Sequence, residues 1–379
     1  MVRIRLGFIG LTATPTSWAP RAHLPYLVRS PYYEIYGIYN RTKETAKAAI
    51  KAHNLSPSIR IFSSLDELTA DPNVDLVVVC TRVDTHYQLA RPVIEAGKNI
   101  FVEWPLGTNL EQALDLVSLA KVKGVATMIG LQGRMSLAIR KIKDLVESGT
   151  LGTIFSVSIC GVATNLNVSM PEKYAYFADK RSGGNILTIR SLHILDTMFY
   201  VHGEPTHIQS QVDNLMPYIQ VQHSDGRIEH LEKDTPDQIA ISGRLKASSA
   251  GELDPSFVFH MRAGRPFKDQ PELIWHVYGE KGQLEITCES AGLQMGYPLT
   301  VKKYDHATES VELIVKSSQL DDGFWADLPR PARNVGRLYE AYALSRPYGD
   351  WDLALQRHKL LDNIQRTEVK YRDRGSRTA

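Results

Sequence analysis

The chain reads as an α/β protein in two parts, a half built on a parallel sheet followed by an α+β half with a mostly antiparallel sheet. Three observations predict this. Residues 4–130 alternate strand-type apolar runs with helical periodicity, the βαβ pattern that produces parallel strands. From Gly152 onward strand-type runs follow one another directly, which predicts antiparallel pairing. At 379 residues, with 43% hydrophobic and 23% charged residues, the chain can fill two cores.

The first half is legible element by element. Ile4 to Ile9 is a strand closed by Gly10, and after a long loop a helix starts near Pro20. Tyr33 to Tyr39 is the second strand, followed by an alanine-rich helix over Thr45 to His53. Ser64 caps a short helix, and Val74 to Cys80 is a buried strand by its unbroken apolar run. Asp84 is read as the cap of the next helix, which Pro92 kinks and Gly97 stops. Lys98 to Asn109 then carries a short strand, Asn99 to Val102, running into Glu103-Trp104-Pro105. Asn109 caps the following helix, with Gln112 at the capping-box position and Gly124 at its end. A strand leads to Gln132, and Ser136 caps a helix that Gly149 ends.

In the second half, strands are expected at Ile154–Ala163, His207–Val212, Tyr218–His223, Gln238–Ala247, Ser256–Met261, Leu273–Tyr278, Gln283–Cys288, Leu299–Tyr304 and Val311–Val315. One helix, Ile186 to His202, interrupts them. Two more close the chain, Asn334 to Ser345 and Trp351 to about Tyr371, and the tail reads as disordered.

A formal net charge of +2 offers no electrostatic case for nucleic acid or a membrane surface. No apolar run is long enough to span a bilayer, and the N-terminus starts directly as a strand. The three cysteines, Cys80, Cys160 and Cys288, fit buried thiols in a reducing compartment better than disulfides. The expectation is a cytoplasmic protein, with the nucleus open to it if it is regulatory.

Three places can carry chemistry. The loop after the first strand keeps one glycine, Gly10, of the three that a dinucleotide site usually places there; Thr12 and Ala13 take the close-approach region, and Trp18-Ala19 ends the loop. An ordinary strand–helix loop has much the same composition. At the end of the second strand Asn40 stands where a carboxylate would bind a ribose 2′-hydroxyl, flanked by Arg41 and Lys43. If a dinucleotide binds, these cations favour NADP(H) over NAD(H); a solvated basic turn is the plainer reading. The third place is the helix with Arg190, His193 and Asp196, entered through Ser182-Gly183-Gly184. His193 is a candidate acid or base, or else a satisfied core histidine. No metal-ligand spacing, P-loop or nucleophile elbow is present.

The N-terminal βαβ order, THYQLARPVIEAGKNIFVEWPLGTN, LVESGTLGTIFSV and SGGNILTIRSLHILD together resemble the glucose–fructose oxidoreductase and inositol dehydrogenase family over nearly the whole chain. The resemblance implies a Rossmann domain at 1–131, a substrate-binding and dimerising α+β domain with an open sheet at 132–371, and a loose tail at 372–379. It implies a cofactor cleft that also takes in Thr81, Arg82, His86, Glu103, Trp104 and Gln132, and a homodimer formed through the C-terminal sheet. Family enzymes keep a lysine before the proline and an aspartate four residues before the histidine; here those positions are Trp104 and Ile189, and only Glu103 and His193 survive. The Phe-Val-Glu-Trp run, Leu131 to Arg134 and the lengthened first loop look most like the fungal galactose-pathway repressor subgroup.

Two functions follow from that likeness. One is an NADP(H)-dependent oxidoreductase on a medium-sized, fairly apolar substrate, with Trp104 as a stacking wall, His193 as acid or base and Tyr174 and Tyr176 as further donors; a redox-neutral epimerisation or isomerisation is a variant. The other is a dinucleotide-binding regulator without turnover. An indole cannot accept a proton, so the usual alcohol–ketone chemistry of the family has lost polar groups that it uses.

Overall fold

The computed structural model describes residues 3–164, 169–247, 253–316 and 320–366. The tail at 372–379 and the end of the closing helix near Tyr371 lie outside the described residues.

The first half runs β1 (Ile4–Ile9), a π-helical turn Ala19–His23 continuing into α1 (Leu24–Leu27), β2 (Tyr33–Tyr39), α2 (Lys43–Ala52), β3 (Arg60–Ile61) and α3 (Leu65–Ala70). It goes on through β4 (Leu76–Val79), α4 (Val83–Glu95), β5 (Asn99–Val102), α5 (Leu110–Lys123) and β6 (Thr127–Ile129). These strands form one six-stranded sheet in the order β3-β2-β1-β4-β5-β6, and every pair in it is parallel. The carboxyl ends of β1, β2, β4, β5 and β6 therefore share one edge, and the strand order reverses beside β1.

A 3-10 turn at Gln132–Met135 leads into α6 (Leu137–Glu147), β7 (Ile154–Ala163) and β8 (Ser169–Pro171). Turns at Glu172–Ala178 and Lys180–Ser182 precede a π-helical stretch, Ile186–Ser191, that becomes α7 (Leu192–His202). Then come β9 (Pro205–Asp213), β10 (Tyr218–Gln222), β11 (Ile228–Glu232), β12 (Gln238–Leu245), β13 (Ser256–Ala263), β14 (Leu273–Gly279) and β15 (Gly282–Cys288). After a turn at Leu293–Met295, β16 (Leu299–Asp305), β17 (Ser310–Lys316), α8 (Gly323–Ala326), α9 (Arg330–Ala343) and α10 (Trp351–Arg366) finish the described chain. An eight-stranded sheet runs β17-β16-β15-β14-β7-β13-β12-β9, antiparallel except where β7 meets β13. A small sheet, β11-β10-β8, stands beside it.

Alternation along the parallel strands feeds two cores. Val77, Val79, Ile100 and Val102 face the core shared with α7 and the large sheet. Leu76, Val78 and Phe101 face the opposite way, into a cluster with Tyr26, Tyr33 and Tyr339. The closing helices therefore return to the first sheet. Tyr339 of α9 lies 5.1 Å from Phe101 and 5.2 Å from Tyr33, ring to ring. Trp351 of α10 donates its indole N–H to the Met128 carbonyl at 3.0 Å.

Local signals held where a side chain could meet them. Asn109 accepts from the Gln112 N–H at 2.9 Å, and Gly124 ends α5 with φ of 65°. Gln112, however, reaches the Thr108 N–H (2.9 Å) rather than Asn109. Two expected caps fail. α4 begins at Val83 with Arg82 at the N-cap position, two residues before the expected cap, and Asp84 instead pairs with the Arg82 guanidinium at 2.9 Å; Ser136 precedes α6 without capping it. Cys160 is exposed on the outer face of the large sheet, while Cys80 and Cys288 are buried. β8 and β11 were not expected from sequence: β8 has three residues, and β11 is too exposed to show apolar alternation. No helix among the described residues is long and apolar enough to cross a membrane.

Candidate functional site at the carboxyl edge of the parallel sheet

Gly10 sits where β1 ends, with φ of +93°. A Cβ there would lie 2.4 Å from the Cys80 carbonyl oxygen and 2.7 Å from the Thr81 methyl, so only glycine allows β1 and β4 to end so close together. Asn40, at the end of β2, turns its amide back onto this loop: Oδ1 accepts from the Gly10 N–H (3.2 Å) and Nδ2 donates to the Leu11 carbonyl (2.7 Å). His53 also holds the loop, with Nε2 2.8 Å from the Thr12 oxygen. Asn40 thus shapes the loop more directly than it could greet a ribose. Arg41 and Lys43 beside it are exposed and have no carboxylate partner among the described residues. Thr12 is exposed, Ala13 half-buried and Ala19 buried.

Two orphaned polar groups lie along the same edge. The Trp18 indole N–H, at the end of the first loop, is buried without an acceptor. Gln132, just past β6, is fully buried with neither amide atom partnered. Buried amides are normally satisfied, so these atoms fit a cleft whose polar partners come with a ligand. Thr81 is half-buried and accepts from the Thr85 hydroxyl at 2.8 Å. His86 is spent inside the protein, with Nδ1 2.7 Å from the Pro105 oxygen and Nε2 3.1 Å from the Thr81 oxygen. Burial holds its imidazole below the usual range against the opposing pull of the two carbonyls, and the ring locks β4 to the turn after β5.

Strand alternation sends Glu103 and Trp104 to opposite sides. Glu103 continues the Phe101 side and meets His23, whose Nε2 lies 2.8 Å from its carboxylate; His23 Nδ1 lies 2.8 Å from the Tyr339 hydroxyl. Burial raises the Tyr339 phenol well above its ordinary value, so it stays protonated and donates. The chain Tyr339–His23–Glu103 fixes the carboxylate beside Gly130, where an added Cβ would lie 2.7 Å from it. Trp104 continues the Val102 side. Its N–H donates to the Thr188 carbonyl at 2.8 Å, its ring lies 4.9 Å from that of His358, and it is only 4% exposed. The expected stacking wall is therefore corrected: the indole is packed as core between the π-helical turn and α10.

His193 stands on the first turn of α7 and is 5% exposed. Its Nδ1 is buried without a partner, and burial pulls its pKa down to about 4, against the opposing pull of Glu103 and Asp196. The histidine is neutral at pH 7. One turn on, Asp196 accepts from Arg134 (2.7 and 2.8 Å) and from Arg357 Nε (2.8 Å), and Arg357 also binds Glu204 through two contacts of 2.7 Å. This network ties the turn after β6, α7 and α10 into one body around His193. Neither Arg357 nor His23 carries a local sequence signal; only the finished packing brings them in.

Tyr176 packs beside the turn that leads into α7. Its ring packs 4.9 Å beneath the Arg82 guanidinium, Gly184 leaves it room, and burial raises its phenol to about 12. Tyr174 packs on Phe177 at 6.0 Å. Neither tyrosine hydrogen-bonds His193 among the described residues; Tyr176 lies against Gly184, and Tyr174 is an electrostatic neighbour of Arg190, on the turn that leads into α7. No cluster of metal-ligating side chains occurs among the described residues.

The chain is similar to known proteins over both halves. A family model described as "Oxidoreductase family, NAD-binding Rossmann fold" matches residues 4–131, and one described as "Gal80p, C-terminal domain" matches residues 138–288. The chain is 34% identical to dehydrogenase aclE of Aspergillus oryzae over 289 residues, 75% of this chain and 76% of that one. It is 30% identical over 295 residues to the galactose/lactose metabolism regulatory protein GAL80 of Saccharomyces cerevisiae, 75% of this chain and 66% of the other. A super-repressor mutant of Gal80p superposes with a TM-score of 0.85 at 23% identity, covering 97% of this chain and 96% of that chain. Levoglucosan dehydrogenase with NADH and L-sorbose superposes at 0.77 and 17% identity, covering 96% of each chain. The paired Rossmann and Gal80p-like matches, with the identity to aclE, place this chain in the Gfo/Idh/MocA oxidoreductase family, close to its Gal80-like members.

Proposed function

We propose that the chain is an NADP(H)-dependent oxidoreductase of small-molecule metabolism, working on a medium-sized, fairly apolar substrate without the family lysine. The observation that carries this is His193, a buried neutral imidazole with an unpartnered Nδ1 on the helix that faces the end of β5. The orphaned atoms of Trp18 and Gln132, the close approach at Gly10, and Glu103 held by His23 suit a dinucleotide along the carboxyl edge. The free cations Arg41 and Lys43, with no carboxylate at the end of β2, favour the 2′-phosphate form.

When bound, the nicotinamide supplies or takes up a hydride. The residues then have one proton to manage. A neutral imidazole would hydrogen-bond a substrate carbonyl or imine through its N–H, give that proton to the oxygen or nitrogen as the hydride arrives, and regain it from solvent on product release. With Trp104 turned away and its N–H engaged, the position of the family lysine offers no base for alcohol oxidation, so reduction of an imine or activated alkene suits the site better.

The test is NADPH consumption against a panel of ketones, cyclic imines and activated alkenes. His193→Ala is expected to lower kcat by about a hundredfold on any substrate found, and unchanged kcat would remove the histidine from the reaction. A second reading, a regulator that binds dinucleotide without turnover, is favoured by the buried Trp104 in place of lysine and by the likeness to GAL80. It predicts tight dinucleotide binding with no consumption across the panel.

We also propose a homodimer through the outer face of the large sheet, where Val258, Tyr278 and Cys160 are exposed. Sedimentation as a 42.5 kDa monomer at micromolar concentration would refute it.

A further inference from the structure

A cavity of about 230 Å³ opens between the start of α6, the turn Gly296–Pro298, Leu320-Asp321 and the first half of α9. Its charge is lopsided. Arg330, Arg333 and Arg337 line it against one carboxylate, Asp321. Arg333 is committed: it pairs with Asp321 at 2.9 Å and donates to the Ala326 and Leu328 carbonyls at 2.8 and 3.0 Å. Arg337 also pairs with Asp321 and lies 4.6 Å over the Trp325 ring. Arg330 is exposed and has no carboxylate partner among the described residues.

Two further features point the same way. Ser136, Leu137 and Ala138 line the cavity, and they are the cap and first turn of α6. This 11-residue helix has no side-chain cap and no acidic residue in its first turn, so its free N–H groups and positive dipole end are left uncompensated. Independently, Asn334 of α9 lines the cavity, is 2% exposed, and has an Nδ2 with no acceptor. A buried donor left unmet is costly and uncommon. Among the described lining residues, the buried side-chain atom without a partner is a donor, the Asn334 Nδ2, and the arginine without a carboxylate is Arg330.

We propose that this cavity binds an anionic group, a phosphate or carboxylate, between Arg330, the Asn334 amide and the N-terminus of α6. The helix end and the amide supply directed N–H donors, and Arg330 supplies charge; that combination recognises an oxyanion. A volume of about 230 Å³ leaves room beyond one such group, so a small molecule bearing an acidic tail fits as well as a free ion does. Tyr297, in the lining, is an electrostatic neighbour of Arg190, three residues from His193, which sets the cavity beside the candidate substrate region. The assignment does not depend on dinucleotide binding.

The test is titration with potassium phosphate at ionic strength fixed with KCl, and separately with phenyl phosphate and benzoate, read by tryptophan fluorescence and thermal shift. Trp325, stacked under Arg337, reports on the site. Wild type is expected to respond saturably, and Arg330→Gln and Asn334→Leu to weaken binding by about tenfold or more. Arg330 is exposed, so its variant keeps the fold, and Asn334→Leu removes an unmet donor, so the melting temperature without ligand should not fall. Tighter binding of phenyl phosphate than of phosphate marks an acidic tail on a larger ligand; equal binding marks a free ion. Either supports the site. The absence of a saturable response to any probe would overturn it. So would responses unchanged in both variants, or a response abolished by saturating NADPH, which would put the anion in the dinucleotide cleft.

Discussion

Lowering the pH from 7 to 5 is expected to strip several kcal/mol from this protein and to unfold it near or above pH 4. Three buried histidines set this expectation. Burial pulls His193 down to about 4 and His202 and His358 to about 3, and both ring nitrogens of His202 lack partners. An unfolded histidine titrates at about 6.5. Between the folded and unfolded values the unfolded chain binds more protons, so stability is complete above about pH 6.5 and falls as the pH drops below it. By pH 5 each of the three has cost about 2 kcal/mol, against a total stability on the order of 5–15 kcal/mol. Carboxylates held below their usual range, such as Asp71 beside Arg60, add a loss in the same direction at lower pH. Urea midpoints from pH 8 to 4 check this. His202→Phe, which keeps a ring against Trp275, should flatten the slope by about one proton; a midpoint constant from pH 7 to 4.5 would contradict the account.

Asp196→Ala is the single substitution expected to cost most. Asp196 and Arg357 are each 1% exposed, and the carboxylate is shared by two guanidiniums. Burial alone would raise the Asp196 pKa; the charges of Arg134 and Arg357 outweigh it and hold the group ionised. Removing it leaves Arg357 buried with only Glu204, and breaking such a pair costs about 3–5 kcal/mol. The urea midpoint should fall with its slope unchanged, and Asp196→Asn, isosteric but uncharged, should recover little. A loss below about 1 kcal/mol would mean that water already reaches the cluster.

Much of the fold was open to reading because its causes are local. Alternation in Ile100, Phe101 and Val102 announces a strand buried on both faces, and Asn109 with Gly124 brackets α5. The placement of the candidate residues was legible in outline: Gly10, Asn40, Glu103 and His193 all fall at or next to the ends of elements. What spacing cannot carry is the partner of a buried polar group. Glu103 is held by a histidine 80 residues earlier, and that histidine by a tyrosine 316 residues further on. Arg357 on an amphipathic helix reads as surface until Asp196 and Glu204 are found around it. Trp104 was read toward the ligand because it follows a strand end, whereas the Thr188 carbonyl draws it into the core.

The central claim, a dinucleotide cleft that prefers NADP(H), is tested most directly by titrating the wild-type protein with NADPH and NADH. Quenching of Trp18, half-buried at the end of the first loop, gives the readout. Saturable quenching by both is expected, with NADPH at least about tenfold tighter because its 2′-phosphate meets Arg41 and Lys43. No binding of either nucleotide, or tighter binding of NADH, would contradict it.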